Sequence, residues 1–271
     1  MELVSIKNDT VMSDFGNINL PLTLDCGQAF RWKAAGDGKF TGISRGHETV
    51  ISSDGETIIF HNTPKEDVEN IWADYFDTAA DYPSILKKLS DDEKVCSAIS
   101  NYGIIRILNQ EPWETLCSFI ISACNNIPRI KGIVERLCEA YGEKTGSSYS
   151  FPSAEVLAAK TAEDLVFLRA GYRAPYIIDA AQKVASGEID LKAIKAMDEI
   201  SAEKELMKIS GVGKKVADCT MLFSLGFRDT YPVDRHIARA NAELYPDGLP
   251  ECFNGNKGLA QQYIFHYQRT R

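Results

Sequence analysis

Residues 201–239, SAEKELMKISGVGKKVADCTMLFSLGFRDTYPVDRHIAR, constrain the chain most. Leu206 and Ile209 close one apolar stripe of helical spacing, and Val216, Ala217, Thr220 and Met221 resume it beyond Gly211-Val212-Gly213. The stretch therefore reads as helix, tight hairpin, helix and loop, followed by a Pro-Val-Asp turn that opens another helix. Two glycines around one valine let the backbone approach a flat or anionic partner closely. The N–H groups that open the second helix are a ready anion site. Lys215 lies two residues past the turn, and Asp234 nineteen further on. An amine and a carboxylate held beside an anion-gripping hairpin predict amine chemistry on a nucleic acid.

The chain before this stretch divides at Thr63. Residues 1–62 read as antiparallel β, with strand-like runs at Phe30 to Trp32, Phe40 to Ile43, Thr49 to Ser52 and Thr57 to His61. Asp54-Gly55 reads as a two-residue hairpin turn between the last two. Thr63-Pro64-Lys65-Glu66 then combines an N-cap, a first-turn proline and a capping-box glutamate. From there the pattern is helical to the end. The expected fold is α+β: residues 1–100 an antiparallel sheet domain with flanking helices, residues 101–271 a helical body carrying the hairpin. The last helix is expected to pack back between the two.

With 44% hydrophobic and 25% charged residues the composition is that of a globular protein. No apolar run reaches bilayer length, and MELVSIKNDT lacks the layout of a signal peptide. The cytoplasm is the expected compartment, without membrane contact. Seven cysteines with no C-x-x-C argue against a zinc or four-cysteine iron–sulfur site. A net charge of −8 speaks against nucleic-acid binding. Its distribution removes most of that objection: residues 41–100 hold twelve acidic against five basic residues, whereas residues 201–240 hold seven basic against five acidic.

A free lysine is protonated at neutral pH. A helix N-terminus, the like charge of Lys214 and partial burial would each favour the neutral, nucleophilic amine of Lys215. Asp234, after Pro232-Val233, is placed to cap the next helix. The same fixed carboxylate could stabilise positive charge developing on a sugar. The bland alternatives are a solvated lysine and a plain cap.

Together GVGKKVADC and YPVDRH resemble the helix–hairpin–helix, Gly/Pro–Asp superfamily of DNA glycosylases. LDCGQAFRW (24–32), SACNNIPRIKGIVERLC (122–138), LRAGYRAPYI (168–177) and GLAQQYIFHY (258–267) narrow the likeness to bifunctional 8-oxoguanine DNA glycosylases. The likeness implies a glycosylase and AP lyase acting on double-stranded DNA that contains oxidised guanine opposite cytosine, without organic cofactor or catalytic metal; a monomer is the expected state of an enzyme that must wrap a duplex. It makes Lys215 the Schiff-base nucleophile and Asp234 its assisting carboxylate. Gly27 would accept the N7–H of the oxidised base, Gln261 would read its Watson–Crick edge, and Cys219 and Phe265 would sandwich it beside Phe223. Arg129 and Arg173 would meet the orphaned cytosine and Tyr172 would wedge into the stack. Asn125 and Asn126, the hairpin glycines 211 and 213 (Gly211, Gly213) and His236 would contact DNA. The carbonyls of Met207, Ile209 and Val212 could hold a structural monovalent or divalent cation. In one departure, the run of three asparagines usual in the family begins here with Cys124. The alternatives are a superfamily glycosylase with another damaged-base substrate, or a non-catalytic DNA-binding hairpin module.

Overall fold

The computed structural model describes residues 2–269. Six antiparallel strands form one sheet: β1 (Leu3–Ile6), β2 (Asp9–Met12), β3 (Lys33–Gly36), β4 (Lys39–Ser44), β5 (His47–Ser53) and β6 (Ile58–His61), in the order β1-β2-β6-β5-β4-β3. The outermost hairpin, β1–β2, falls in residues where the sequence offered no strand-like run. Its turn contains Lys7 with φ 58° rather than a glycine, so no residue type announces it.

Three local expectations are corrected. Phe30 to Trp32 is not a strand: Phe30 and Trp32 are both buried, and the segment is held by aromatic packing, with Trp32 against Trp72 and its Nε1 donating to the Tyr75 hydroxyl at 2.7 Å. The β5–β6 turn is not two residues long, because Ser53 pairs with Ile58 and leaves residues 54–57 as the loop. Asp54 organises that loop by accepting from the Glu56 and Thr57 N–H groups. Thr63 does not cap the following helix, which begins at Lys65 after Pro64; its hydroxyl donates to the His61 carbonyl. β-Structure also returns once after Thr63, as the hairpin β7 (Lys144–Thr145) and β8 (Ser148–Tyr149).

The principal helices of the body are α1 (Tyr82–Leu89), α2 (Glu93–Tyr102), α3 (Pro112–Ser122), α4 (Ile127–Tyr141), α5 (Ala174–Ala185), α6 (Glu199–Leu206), α7 (Lys214–Thr220), α8 (Arg235–Leu244) and α9 (Lys257–Arg269). Two hydrophobic cores form. One lies beneath the sheet, around Trp32, Phe60, Trp72 and Phe76. The other fills the helical body and takes in Tyr82, Leu86, Val95 and Ala98 from α1 and α2, which the sequence grouped with the sheet.

A buried polar joint links the two. Arg106 lies between the rings of Phe15 and Tyr82 and donates to the carbonyls of Phe76 and Asp77. The Asp77 carboxylate accepts from the Tyr82 hydroxyl and pairs with Arg228. Buried charges are tolerated where they are paired and hydrogen-bonded, as Asp77 and Arg228 are; Arg106 relies on the two carbonyls and the two rings, and its Nε is buried without a hydrogen-bond partner. Among the described residues no helix is long and apolar enough to cross a membrane.

Candidate active site

The hairpin forms between α6 and α7 as the glycine pattern implies. Gly211 has φ +79°, and a Cβ there would lie 2.2 Å from the Tyr176 ring. Gly213 is different: it is extended (φ −97°, ψ −179°), caps α7, and nothing lies within 4 Å of where its Cβ would be. Helix α5 braces the turn. Asp179 accepts from the Ser210 N–H at 2.7 Å and pairs with Lys183 at 3.0 Å, while Lys183 also donates to the Lys208 carbonyl at 2.7 Å. Burial would raise the Asp179 carboxyl, but the Ser210 N–H and the Lys183 charge outweigh it and leave it below the usual carboxylate range.

Lys215 is half-buried in the first turn of α7. Its Nζ donates to Ser122 Oγ at 3.2 Å and sits 4.9 Å from the centroid of the Phe119 ring. Ser122 donates onward to the Phe119 carbonyl at 2.8 Å, so its lone pairs are turned toward the amine. Phe223 stacks beneath Phe119, with centroids 5.5 Å apart and planes 18° off parallel. Phe223 is thus a buried floor one layer below the amine. Phe119 and Ser122 were not singled out in the sequence, although a serine ending the apolar helix WETLCSFIIS was a signal open to reading.

Lys214 points elsewhere. It pairs with Glu203 at 2.6 Å and with Asp218 at 3.2 Å, so the like charge expected beside Lys215 is countered by two carboxylates. Asp218 is 2% exposed and its Oδ2 is buried without a hydrogen-bond partner. Burial pushes this carboxyl up to about 6 from 3.8, although Lys214 pulls it down. A carboxyl whose native pKa is raised weakens the fold where it is ionised, so the penalty is complete above pH 6 and fades toward pH 4. Asp218→Asn is therefore expected to stabilise the protein at pH 8 by up to about 3 kcal/mol. The gain should shrink steadily in melts taken from pH 6 down to 4; a pH-independent difference would contradict it.

Cys219 lies one turn beyond Lys215. Burial pushes its thiol up to about 11; the Lys215 charge pulls the other way, and the carboxylates of Asp218 and Asp234 add upward pushes. Lys215, Cys219 and Asp234 thus share one electrostatic neighbourhood. Asp234 caps α8, accepting from the N–H groups of His236 at 2.9 Å and Ile237 at 2.8 Å. The His236 side chain is exposed at the same helix start.

Gln261 and Phe265 stand on α9. Gln261 is buried and donates to the Pro232 carbonyl at 3.1 Å, which ties the last helix to the Asp234 turn. Phe265 is half-buried, edge-on to His266 at 5.6 Å. Gly27 has φ +102°, and a Cβ there would lie 3.3 Å from Ile127 at the start of α4. Its neighbour Gln28 is buried and fixes the loop: Nε2 donates to the carbonyls of Thr23 and Arg106, and Oε1 accepts from the Leu108 N–H. Gln28 carried no assignment from sequence, although a glutamine amid buried hydrophobes is a recognisable strut.

The remaining sequence-derived residues gather on the adjoining loops. Asn126 caps α4 by accepting from the Arg129 N–H at 3.0 Å, and Asn125 donates to the Ile121 carbonyl at 3.1 Å. Arg129 is exposed and reaches the Arg169 carbonyl. Arg173, by contrast, is 3% exposed. Its guanidinium lies on the Tyr172 ring and donates to the carbonyls of Ala123, Cys124 and Ala170, clasping the loop between α3 and α4. Tyr172 is 55% exposed, and Cys124 occupies a left-handed backbone position with φ 48°. At the hairpin, the Ile209 carbonyl accepts from the Val212 N–H at 3.0 Å, and Met207 is the C-cap of α6. A separate cavity of about 160 Å³ opens between the sheet and α4, among Arg31, Lys33, Glu48, Lys131 and Glu135. It includes none of the candidate residues above; its cations Arg31, Lys33 and Lys131 pair with Glu114, Glu135 and Asp25, and Glu48 accepts from the Ser147 N–H and hydroxyl.

Residues 11–116 match the family model for the N-terminal domain of 8-oxoguanine DNA glycosylase, and residues 117–248 match that for HhH-GPD superfamily base excision DNA repair proteins. The N-glycosylase/DNA lyase of Saccharomyces cerevisiae is 39% identical over 175 residues, covering 57% of this chain and 46% of that protein. This chain thus spans about half the length of that relative. The corresponding protein of Arabidopsis thaliana is 30% identical over 245 residues, covering 85% of this chain and 67% of the relative. The 8-oxoguanine glycosylase/lyase of Clostridium acetobutylicum, solved with double-stranded DNA containing cytosine opposite to 8-oxoguanine, superposes with a TM-score of 0.92 at 36% identity, covering 100% of this chain and 98% of that one. With both halves matched in order, the chain belongs to the 8-oxoguanine DNA glycosylase family of the helix–hairpin–helix, Gly/Pro–Asp superfamily.

Proposed function

We propose that this protein excises 8-oxoguanine paired with cytosine in double-stranded DNA and then cleaves the strand as an AP lyase. The observation that carries the reading is Lys215, held half-buried by Ser122 and Phe119 and sharing with the capped carboxylate of Asp234 the electrostatic surroundings of Cys219. The target nucleotide leaves the stack, at a cost of roughly a few kcal/mol, offset by contacts to the base and to its orphaned partner. Tyr172 fills the stack and Arg129 meets the cytosine, while Arg173, engaged with the carbonyls of Ala123, Cys124 and Ala170, seats the loop beneath them. The Gly27 carbonyl accepts the N7–H that guanine lacks; with guanine two acceptors would face each other unpaired. Cys219 and Phe265 enclose the ring and Gln261 reads its Watson–Crick edge.

The neutral amine of Lys215 adds to C1′ as the bond to N9 breaks, its electron pair leaving on the base, which takes up a proton. Asp234 stabilises the positive charge that develops on the sugar. Loss of the second amine proton and opening of the sugar ring give the Schiff base. Removal of a C2′ proton then expels the 3′ phosphate with the electrons of its C3′–O bond, and water releases the lysine. The N–H groups beyond Gly213, together with Asn125, Asn126 and His236, hold the flanking phosphates. The protein works as a cytoplasmic monomer without an organic cofactor, and the carbonyls of Met207, Ile209 and Val212 can hold a cation that bridges to phosphate.

Borohydride added to the protein and an 8-oxoguanine:cytosine duplex tests this, because it reduces the imine to a stable amine. A covalent adduct is expected, with strand scission in its absence. The absence of both adduct and base release would overturn the reading, and salt-sensitive binding without nicking would leave only a DNA-binding hairpin.

A further inference from the structure

A hydrogen-bonded relay crosses from the Asp234 turn to the loop that carries Gly27. Gln261 Nε2 donates to the Pro232 carbonyl at 3.1 Å, Gln262 Nε2 donates to Gln261 Oε1 at 2.6 Å, and the Cys26 thiol donates to Gln262 Oε1 at 3.5 Å. All three side chains are buried, at 6%, 5% and 3% exposure.

The direction of the relay follows from its first acceptor. A proline carbonyl can only accept, so the amine of Gln261 must face it and the oxygen must face Gln262. Gln262 must then present its own amine to that oxygen, which leaves its oxygen for Cys26. Reversing either amide would set two acceptors or two donors against each other in a buried site, where unmade hydrogen bonds are costly. Burial pushes the Cys26 thiol up to about 11, so at neutral pH it keeps the proton it donates.

We infer that Gln262, seated by Cys26, is a positioning residue that fixes the Gln261 amide with its oxygen open to N–H donors and so sets selectivity for a guanine-type base edge. This rests on the proposed reading of Gln261 as the reader of the Watson–Crick edge. A guanine-type edge presents N1–H and N2–H donors, one of which the second lone pair of Gln261 Oε1 accepts. An adenine-type edge presents an acceptor at N1, which that oxygen repels. The Gly27 carbonyl does not separate the two oxidised purines, because 8-oxoadenine also carries an N7–H. Discrimination between them therefore reports on the relay.

The test is the single-turnover rate of base release from duplexes of one sequence carrying 8-oxoguanine or 8-oxoadenine opposite cytosine. Gln262→Met keeps the length and removes the donor. It is expected to slow 8-oxoguanine release about tenfold, the effect of one hydrogen bond, while 8-oxoadenine release holds or rises, so the rate ratio falls by at least as much. Cys26→Ala, a smaller change that guards against misfolding, is expected to lower the ratio about threefold, and Cys26→Ser to recover it. Folding is checked by circular dichroism. A folded Gln262→Met or Cys26→Ala that keeps the wild-type ratio, or slows both substrates equally, overturns the inference alone. A wild-type protein that releases no 8-oxoguanine overturns the underlying reading and the inference with it.

Discussion

Lys215→Gln is expected to abolish the borohydride adduct and to lower strand cleavage at an 8-oxoguanine:cytosine pair by about four orders of magnitude. An amide nitrogen cannot form an imine, so both base displacement by the amine and the elimination that follows are lost. The substitution keeps a polar side chain one bond shorter, which covers the Phe119 ring in part and gives up the contact of Lys215 to Ser122 Oγ. Affinity for the lesion duplex, read by fluorescence anisotropy, should stay within about threefold, since the residue contributes one contact among many. Cleavage persisting within tenfold of wild type would remove Lys215 from the chemistry.

The hairpin glycines should separate in a paired experiment. Gly211→Ala forces an alanine to φ +79° and sets its Cβ 2.2 Å from the Tyr176 ring. The left-handed conformation and the displaced ring together are expected to cost about 3 kcal/mol, a fall of about 6–10 °C in melting temperature. Gly213→Ala meets nothing within 4 Å and sits on extended backbone, so its melting temperature should hold. Its methyl group would occupy the space in which a phosphate approaches the N–H groups of α7. Duplex affinity is therefore expected to fall about tenfold. If Gly213→Ala binds as wild type does, the phosphate does not approach there.

These residues also mark how far the sequence could be read. Lys215, Asp234 and the hairpin were legible because their residue types are chemically narrow: a left-handed turn favours glycine, and an aspartate before a helix caps it. The α+β order was legible from the change of apolar period at Thr63. The β1–β2 hairpin was not, since Lys7 adopts its turn conformation without a glycine to signal it. Phe30 to Trp32 imitates a strand because aromatic residues are both strand formers and core fillers. Arg173 was legible as a cation but not as a clasp. The groups it holds are main-chain carbonyls about 50 residues away, which every residue type supplies equally. The same limit applied to Gln262 and Ser122, whose importance lies in the partners that the fold brings to them.

Helix α5 carries a consequence beyond bracing the hairpin. Tyr172 and Arg173 stand at its start; Tyr176, in its first turn, packs edge-on to Tyr172 and against Gly211; and Asp179 with Lys183 holds residues 208 and 210. At a rise of about 1.5 Å per residue, the six steps from Arg173 to Asp179 fix about 9 Å between the residues proposed above to open the stack and the turn proposed to hold the backbone. On that reading the helix is a gauge of set length, and a duplex would engage both ends together only by deforming to match it. Flexibility of the DNA around a damaged base would then be a quantity the protein measures before any atom of that base is read.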